Sequence, residues 1–252
     1  MYNKENGTVF DGFKDMFKKN ACKNFGIELD DNQVEQFFIY GKLLLEWNNK
    51  INLTAITDPE EVVTKHFLDS LVFIKWLRLL YPTSRFSLAD LGTGAGFPGI
   101  PIKIMEPRIR VVLIDSLAKR LSFLQEVINC LGLGNIETCH SRAEDIGRDI
   151  KFREKFEITT ARAVAELPIL LEYTSPLLKI GGRLLAAKGL EPENEIKSAE
   201  KALQVLNCEY ESLDKYSLGE GADYRSLIII KKIKNTPSSY PRQAGRPKKS
   251  PL

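Results

Sequence analysis

The stretch Ser87–Pro101, SLADLGTGAGFPGIP, decides how the rest of this 252-residue chain is read. It opens as a short apolar strand, runs into a cluster of glycines, and turns helical with Ile100, Ile102 and Ile104. Strand, glycine loop and helix make the first unit of a nucleotide-binding α/β sheet. Glycines let the backbone turn tightly and approach a ligand, and the helix N-terminus favours polar or anionic groups.

The glycines fit two registers. Gly94, Gly96 and Gly99 give G-x-G-x-x-G, the fingerprint of nicotinamide and flavin enzymes. Asp90, Gly92, Gly94 and Gly96 give D-x-G-x-G-x-G, which resembles motif I of the class I S-adenosylmethionine-dependent methyltransferases. The second register uses one more residue, an acid at the strand end. A carboxylate there suits the ammonium of a methionine moiety and would repel a pyrophosphate, so the second register is preferred. A ligand-free glycine turn is disfavoured because each glycine costs backbone entropy on folding.

Outward from the loop, residues 86–234 alternate strands and helices, the rhythm of a mostly parallel sheet covered on both faces. Strands are expected at Ser87–Leu91, Arg110–Ile114, Asn135–Cys139, Phe156–Thr160 and, after a Gly181-Gly182 turn, Arg183–Ala187. A closing hairpin is expected near Cys208–Leu213 and Ser226–Lys232 around a tight loop at Gly219–Ala222. Asp115 ends the second strand about 20 residues past the glycines, where a carboxylate holds ribose hydroxyls. Past the third strand, Glu144 or Asp145 could accept from an adenine amino group.

Residues 1–85 are mostly helical and read as a cap or lid. Val9, Phe13, Met16 and Phe17 mark a short amphipathic helix; a stronger one runs Asp31–Asn49 with Asp31 as its cap. A third begins at Asp58-Pro59-Glu60-Glu61 with a capping box and continues to Tyr81. It carries His66 and Asp69 on one face, read as a structural pair in preference to an acid–base dyad. Residues 235–252, rich in Pro and Ser with Arg242, Arg246, Lys248 and Lys249, read as a basic, loosely ordered tail.

Composition sets the bounds. The chain is 43% hydrophobic and 27% charged with a net charge of +3, which is ordinary for a globular protein. Four scattered cysteines and two distant histidines disfavour a zinc site and suit the cytoplasm. The most apolar window, Leu71–Tyr81, is too short to span a bilayer.

Taken together and in order, WNNKINLTAI (Trp47–Ile56), HFLDSL (His66–Leu71), LADLGTGAGFPGIP, IDSLAKR (Ile114–Arg120), SRAEDI (Ser141–Ile146), TARAVAEL (Thr160–Leu167) and YPRQAGRPKKSPL (Tyr240–Leu252) resemble the bacterial small-subunit rRNA guanine-N7 methyltransferases, RsmG or glucose-inhibited division protein B. The resemblance spans about Gly41 to Leu252. It implies a class I methyltransferase fold, a Rossmann-like, seven-stranded, mostly parallel α/β sheet, behind an N-terminal helical segment. It implies S-adenosylmethionine as cofactor, held at Gly92, Phe97, Asp115, Ser116, Ala143, Glu144 and Arg162, alongside the Asp90 and Gly94 of the loop reading.

The implied substrate is a guanine in the decoding-region loop of 16S rRNA, naked or within the small ribosomal subunit or an assembly intermediate, with no membrane and no metal. Arg142, Arg162 and Lys188, at the ends of strands three, four and five, are candidates for positioning RNA or guanine. Their structural alternative is salt bridging to Glu144 or Asp145. One departure from the family pattern is Phe156-Glu157, where Phe-Asp is usual. A methyltransferase of small molecules or proteins, an NAD-dependent enzyme using Gly94, Gly96 and Gly99, and a non-enzymatic rRNA-binding module are the competing readings.

Overall fold

The computed structural model describes residues 9–83, 85–219 and 224–252. The strands are β1 (Ser87–Leu91), β2 (Arg110–Asp115), β3 (Ile136–His140), β4 (Phe156–Arg162), β5 (Leu178–Lys188), β6 (Cys208–Ser217) and β7 (Tyr224–Lys232). They form one seven-stranded sheet in the order β3-β2-β1-β4-β5-β7-β6. The first five strands pair in parallel, and β7 runs antiparallel between β5 and β6. The expected closing hairpin is therefore present, although residues 220–222 of its expected loop lie outside the described residues. The order reverses between β1 and β4, and their carboxyl ends there open the crevice where α/β ligands bind.

β5 is longer than expected. Gly181 and Gly182 do not end a turn before the strand; they sit within it, where the β4 register slips between Phe156 and Ile158. A Cβ on Gly182 would lie 2.9 Å from the Glu157 carbonyl, so the chain passes too close for a side chain. Glu157 accepts from the Ser87 N–H at 2.8 Å and pairs with Lys179, at the end of the sheet away from the crevice. The unusual glutamate thus acts as a local tie, far from the chemistry.

The crossover helices follow the glycine loop as α5 (Gly99–Met105), β2 as α6 (Ala118–Leu131), β3 as α7 (Ala143–Ile146) and β4 as α8 (Leu167–Thr174). α9 (Glu193–Ser198) and α10 (Glu200–Val205) precede β6. Of the N-terminal helices, α1 spans Lys14–Phe25 and α2 spans Asp31–Asn48. α2 is capped by Asp30, one residue earlier than expected, through a reciprocal capping box with Gln33. Asp31 instead pairs with Lys14 and Lys18 of α1. Asp58 caps α3 (Pro59–Val62) as expected, but Glu61 pairs with Lys65 instead of closing a capping box. The chain then passes through a π-helical turn, Val63–Leu68, into α4 (Asp69–Leu80).

These helices are not a lid. Phe10, Phe17, Phe37 and Phe67 belong to the same buried cluster as Leu88, Val111 and Ile229 of the sheet. A lid that opened would expose this shared core, at roughly 25 cal/mol for each Å² of apolar surface. The N-terminal segment is one layer of the domain.

The tail is a second correction. Residues 235–252 are packed across α7 and α8. Arg153 donates to the carbonyls of Thr236 and Tyr240 at 2.9 and 2.8 Å, and Arg148 donates to that of Pro241 at 2.9 Å. Arg242 forms a two-pronged ion pair with the wholly buried Glu172 of α8, at 2.6 Å for the shorter prong. A short helix, α11 (Arg246–Lys249), follows. Tyr240 and Leu252 pack against the buried cluster formed by α8, α10 and β7, and arginines of the core satisfy the segment's carbonyls.

Candidate active site

The glycine loop is shaped from below. Asp90 is fully buried and pointed into the fold: Oδ1 accepts from Thr160 at 2.8 Å, and Oδ2 accepts from Thr93 at 2.6 Å and the Gly99 N–H at 3.1 Å. The expectation that this carboxylate meets a methionine ammonium is therefore corrected. With three protein donors and no exposed surface, it ties β1, β4 and α5 together. Burial pushes its pKa up to about 6, against the pull of those donors.

Two glycines have specific physical duties. Gly92 has φ +66, and a Cβ there would lie 2.8 Å from a methyl of Val164. Gly96 has φ +99, and a Cβ there would meet Ile100 and Leu124 at 2.7 Å and the Tyr40 hydroxyl at 2.8 Å. That hydroxyl, carried by α2, donates to the Ala95 carbonyl, so an N-terminal helix props the loop.

A cleft of about 530 Å³ opens where β1, β2 and β4 end, within the ~300–1,000 Å³ range of small-molecule sites. Gly92, Asp115, Ser116, Ala143 and Glu144 line it together, joining five of the expected cofactor residues. Asp115 is buried, accepting from the Gly94 N–H at 2.9 Å with Oδ2 and the Leu117 N–H at 2.9 Å with Oδ1, with Arg120 at 3.4 Å. The expected Gly94 therefore reaches the cleft wall through Asp115. Glu144 Oε1 accepts from the Gly245 N–H at 2.9 Å and the Tyr173 hydroxyl at 3.3 Å. Asp145, the other candidate acid, is exposed and absent from the cleft lining.

A second cleft, of about 430 Å³, shares Ala163 and Val164 with the first. Arg162, Lys188 and Arg225 line it. Ala163 has φ +56, an uncommon conformation for a residue with a side chain. Arg142 lines the first cleft and not the second.

Of the three candidate cations, Arg162 and Lys188 are already engaged, though not with Glu144 or Asp145. Arg162 donates to Asp69 at 2.9 Å, to His66 Nδ1 at 3.0 Å and to the Lys65 carbonyl at 3.3 Å. Its guanidinium lies 5.0 Å from the centroid of Phe97, against which His66 stacks at 4.5 Å. Lys188 donates to the Ala165 carbonyl at 2.7 Å and pairs with Glu195 at 2.5 Å.

His66 and Asp69 are structural, as the sequence reading favoured. They do not form a dyad with each other; both hold Arg162. Burial, then the charge of Arg162, lowers the His66 pKa to about 3, so its ring is neutral. Nε2 lies 2.9 Å from the Thr54 hydroxyl. Of the expected cofactor residues, Asp90, Gly94, Phe97 and Arg162 are absent from the first cleft's lining: Phe97 is buried, and Arg162 lines the second cleft.

The sequence reading missed Val164, Tyr173, Gly245 and Lys248 in the cleft wall. Val164 lies just past the end of β4, whereas Tyr173, Gly245 and Lys248 reach the site only through the crossing of distant segments. Among the described residues, no group of three or more His, Cys, Asp or Glu could hold a metal ion. No described helix is long and apolar enough to cross a membrane.

Among solved structures, a 16S rRNA (adenine(1408)-N(1))-methyltransferase from Catenulisporales acidiphilia superposes with a TM-score of 0.51 at 14% identity, covering 60% of this chain and 86% of that one. The M. jannaschii TYW2 structure in complex with AdoMet gives a TM-score of 0.50 at 14% identity, over 65% and 77%. Both likenesses are of fold, that of the class I methyltransferases. In sequence, the Ribosomal RNA small subunit methyltransferase G of Desulfitobacterium hafniense is 51% identical over 91% of this chain and 94% of its own. That of Acetivibrio thermocellus is 48% identical over 92% and 94%. With residues 33–222 also matching the family described as GidB, rRNA small subunit methyltransferase G, the chain belongs to that family.

Proposed function

We propose that this protein transfers the methyl group of S-adenosylmethionine to N7 of a guanine in the decoding-region loop of 16S rRNA, in the cytoplasm, on the small ribosomal subunit or an assembly intermediate. The observation that carries the reading is the meeting of two clefts at Ala163–Val164. One is walled by Asp115 and Glu144, and the other is lined by three cations.

The first cleft fits the cofactor on its own terms. A side chain at Gly92 would collide with Val164, so the backbone there is kept bare toward the cleft. Asp115 can accept from ribose hydroxyls and Glu144 from an adenine amino group, while Gly92, Ser116 and Ala143 provide close backbone. Bound there, S-adenosylmethionine supplies a sulfonium-activated methyl group that guanine N7 can take with its own lone pair. N7 is an exposed acceptor on the major-groove edge and carries no proton at neutral pH, so the protein needs no general base.

The residues match that requirement. His66 is neutral, buried and occupied at both nitrogens, which suits a positioning role and not proton transfer. Arg162, held by Asp69 and His66, and Lys188, held by Glu195, present fixed cations beside the shared wall. Fixed cations can orient RNA phosphate or guanine O6 without reorganising during reaction.

The test is methyl transfer from labelled S-adenosylmethionine to small-subunit particles and naked rRNA from cells lacking this protein, with the modified base located by mass spectrometry. Label at N7 of one guanine is the expected result. Label elsewhere, or none despite cofactor binding, overturns the substrate assignment and favours a small-molecule acceptor.

A further inference from the structure

The C-terminal strap crosses the wall of the cofactor cleft, and its contact there is specific. Gly245 and Lys248 line the cleft, and the Gly245 N–H donates to Glu144 Oε1. The Tyr173 hydroxyl donates to the same oxygen. Oε2 has no hydrogen-bond partner among the described residues. One carboxylate oxygen is therefore pinned and the other is left to accept.

We infer that the strap is a working part of the cofactor site: by pinning Glu144, its Gly245 N–H turns that carboxylate into a fixed acceptor that selects an adenine amino group over a keto-bearing base. This rests on the cofactor reading of the cleft given above.

The physical case has three parts. A glutamate side chain has three rotatable bonds, and an unpinned one would spend its time in solvent conformations and lose entropy on binding. Two donors on one oxygen remove that freedom before the ligand arrives, which is preorganisation in the ordinary sense. The strap can exert this hold because it is anchored upstream, independently of the cleft. Arg153 and Arg148 grip the carbonyls of Thr236, Tyr240 and Pro241, and Arg242 is clamped to Glu172. Glu172 neighbours Tyr173, so one short stretch of α8 carries both the strap's anchor and the second donor to Glu144. Discrimination follows from polarity: the adenine amino group donates, whereas the C6 oxygen of hypoxanthine is an acceptor facing a carboxylate.

The anchoring also defines the experiment. A chain ending after Arg242 keeps the Arg153, Arg148 and Arg242 contacts and loses Gly245 and Lys248. Affinities for S-adenosylhomocysteine and S-inosylhomocysteine are measured by calorimetry on the full chain and on this truncation, with ligand-free thermal unfolding in parallel. A second variant, Gly245→Val, keeps the whole strap but forces a β-branched residue into φ +83 and displaces the N–H.

The full chain is expected to prefer the adenosyl ligand by roughly tenfold or more, the size of one charge-assisted hydrogen bond. Both variants are expected to lose most of that preference, with inosyl affinity nearly unchanged. Equal weakening of both ligands overturns the inference, since the strap would then only enclose the cofactor. Unchanged affinities in both variants overturn it too. A full chain that binds neither ligand overturns the cofactor reading itself.

Discussion

Arg162, at the end of β4, and Asp69, at the start of α4, form a buried ion pair at 2.9 Å between segments 93 residues apart. Asp69 is wholly buried and also accepts from the Tyr216 hydroxyl of β6 at 2.8 Å. One carboxylate thereby joins the helical layer, the middle of the sheet and its far edge behind the second cleft. Removing it takes away the carboxylate partner of the largely buried Arg162 guanidinium, so Asp69→Ala should lower the unfolding free energy by about 3–5 kcal/mol. Urea denaturation monitored by tryptophan fluorescence checks this; a loss below about 1 kcal/mol would mean that Arg162 finds another partner.

His66 gives the protein an acid-sensitive joint. Its pKa falls from 6.5 to about 3 in the folded state, through burial first and the Arg162 charge second. The unfolded chain binds the proton more readily, so this contribution is full above pH 6.5 and is lost as pH falls toward 3. The loss is on the order of a few kcal/mol. His66→Gln should flatten the stability profile between those limits, and imidazole nitrogen shifts should report a neutral ring at pH 5.

Asp90 pulls the other way. Its folded pKa of about 6 lies above the ordinary carboxylate value of 3.8, so the native state holds the proton more tightly than the unfolded chain. That contribution is full below about pH 4 and is lost as pH rises through 6. Relative to Asp90→Asn, which does not titrate, the wild-type protein should lose on the order of 3 kcal/mol of its stability difference between pH 4 and 7. Parallel denaturation curves at four pH values would show it, and a constant difference would refute it.

Gly92 tests the loop directly. Gly92→Ala places a methyl 2.8 Å from Val164 Cγ2 on a backbone with φ +66. S-adenosylhomocysteine affinity should fall at least about tenfold, as roughly 1–3 kcal/mol of strain and clash would cause. Adding Val164→Ala removes the clash but not the backbone strain, so calorimetry should show partial recovery.

Arg242 tests whether the tail is integral. Glu172 is wholly buried and Arg242 is its ion-pair partner among the described residues. Arg242→Ala should destabilise the whole protein by about 3–5 kcal/mol, far more than loss of an exposed arginine. Hydrogen exchange of residues 236–250 should rise sharply in the variant.

The sequence alone determined the elements and the loop. Alternating apolar runs, an acid-flanked glycine cluster and Asp115 at the end of β2 are local patterns, and local patterns record which face of a strand is buried and where the backbone must turn. They located β1 and β2 to within a residue and named five residues that do meet in the cleft. Only the tertiary structure decided what the polar groups bind. Asp90 has the spacing of a ligand contact, yet Thr160, 70 residues away, helps turn it inward. The tail has the composition of a disordered segment, yet Arg148, Arg153 and Glu172 meet its backbone and its arginine. Gly245 reaches Glu144 across 101 residues. Periodicity encodes a face and not a partner; the partner of a buried charge is fixed only when distant segments share one core, because only there does leaving it unpaired cost free energy.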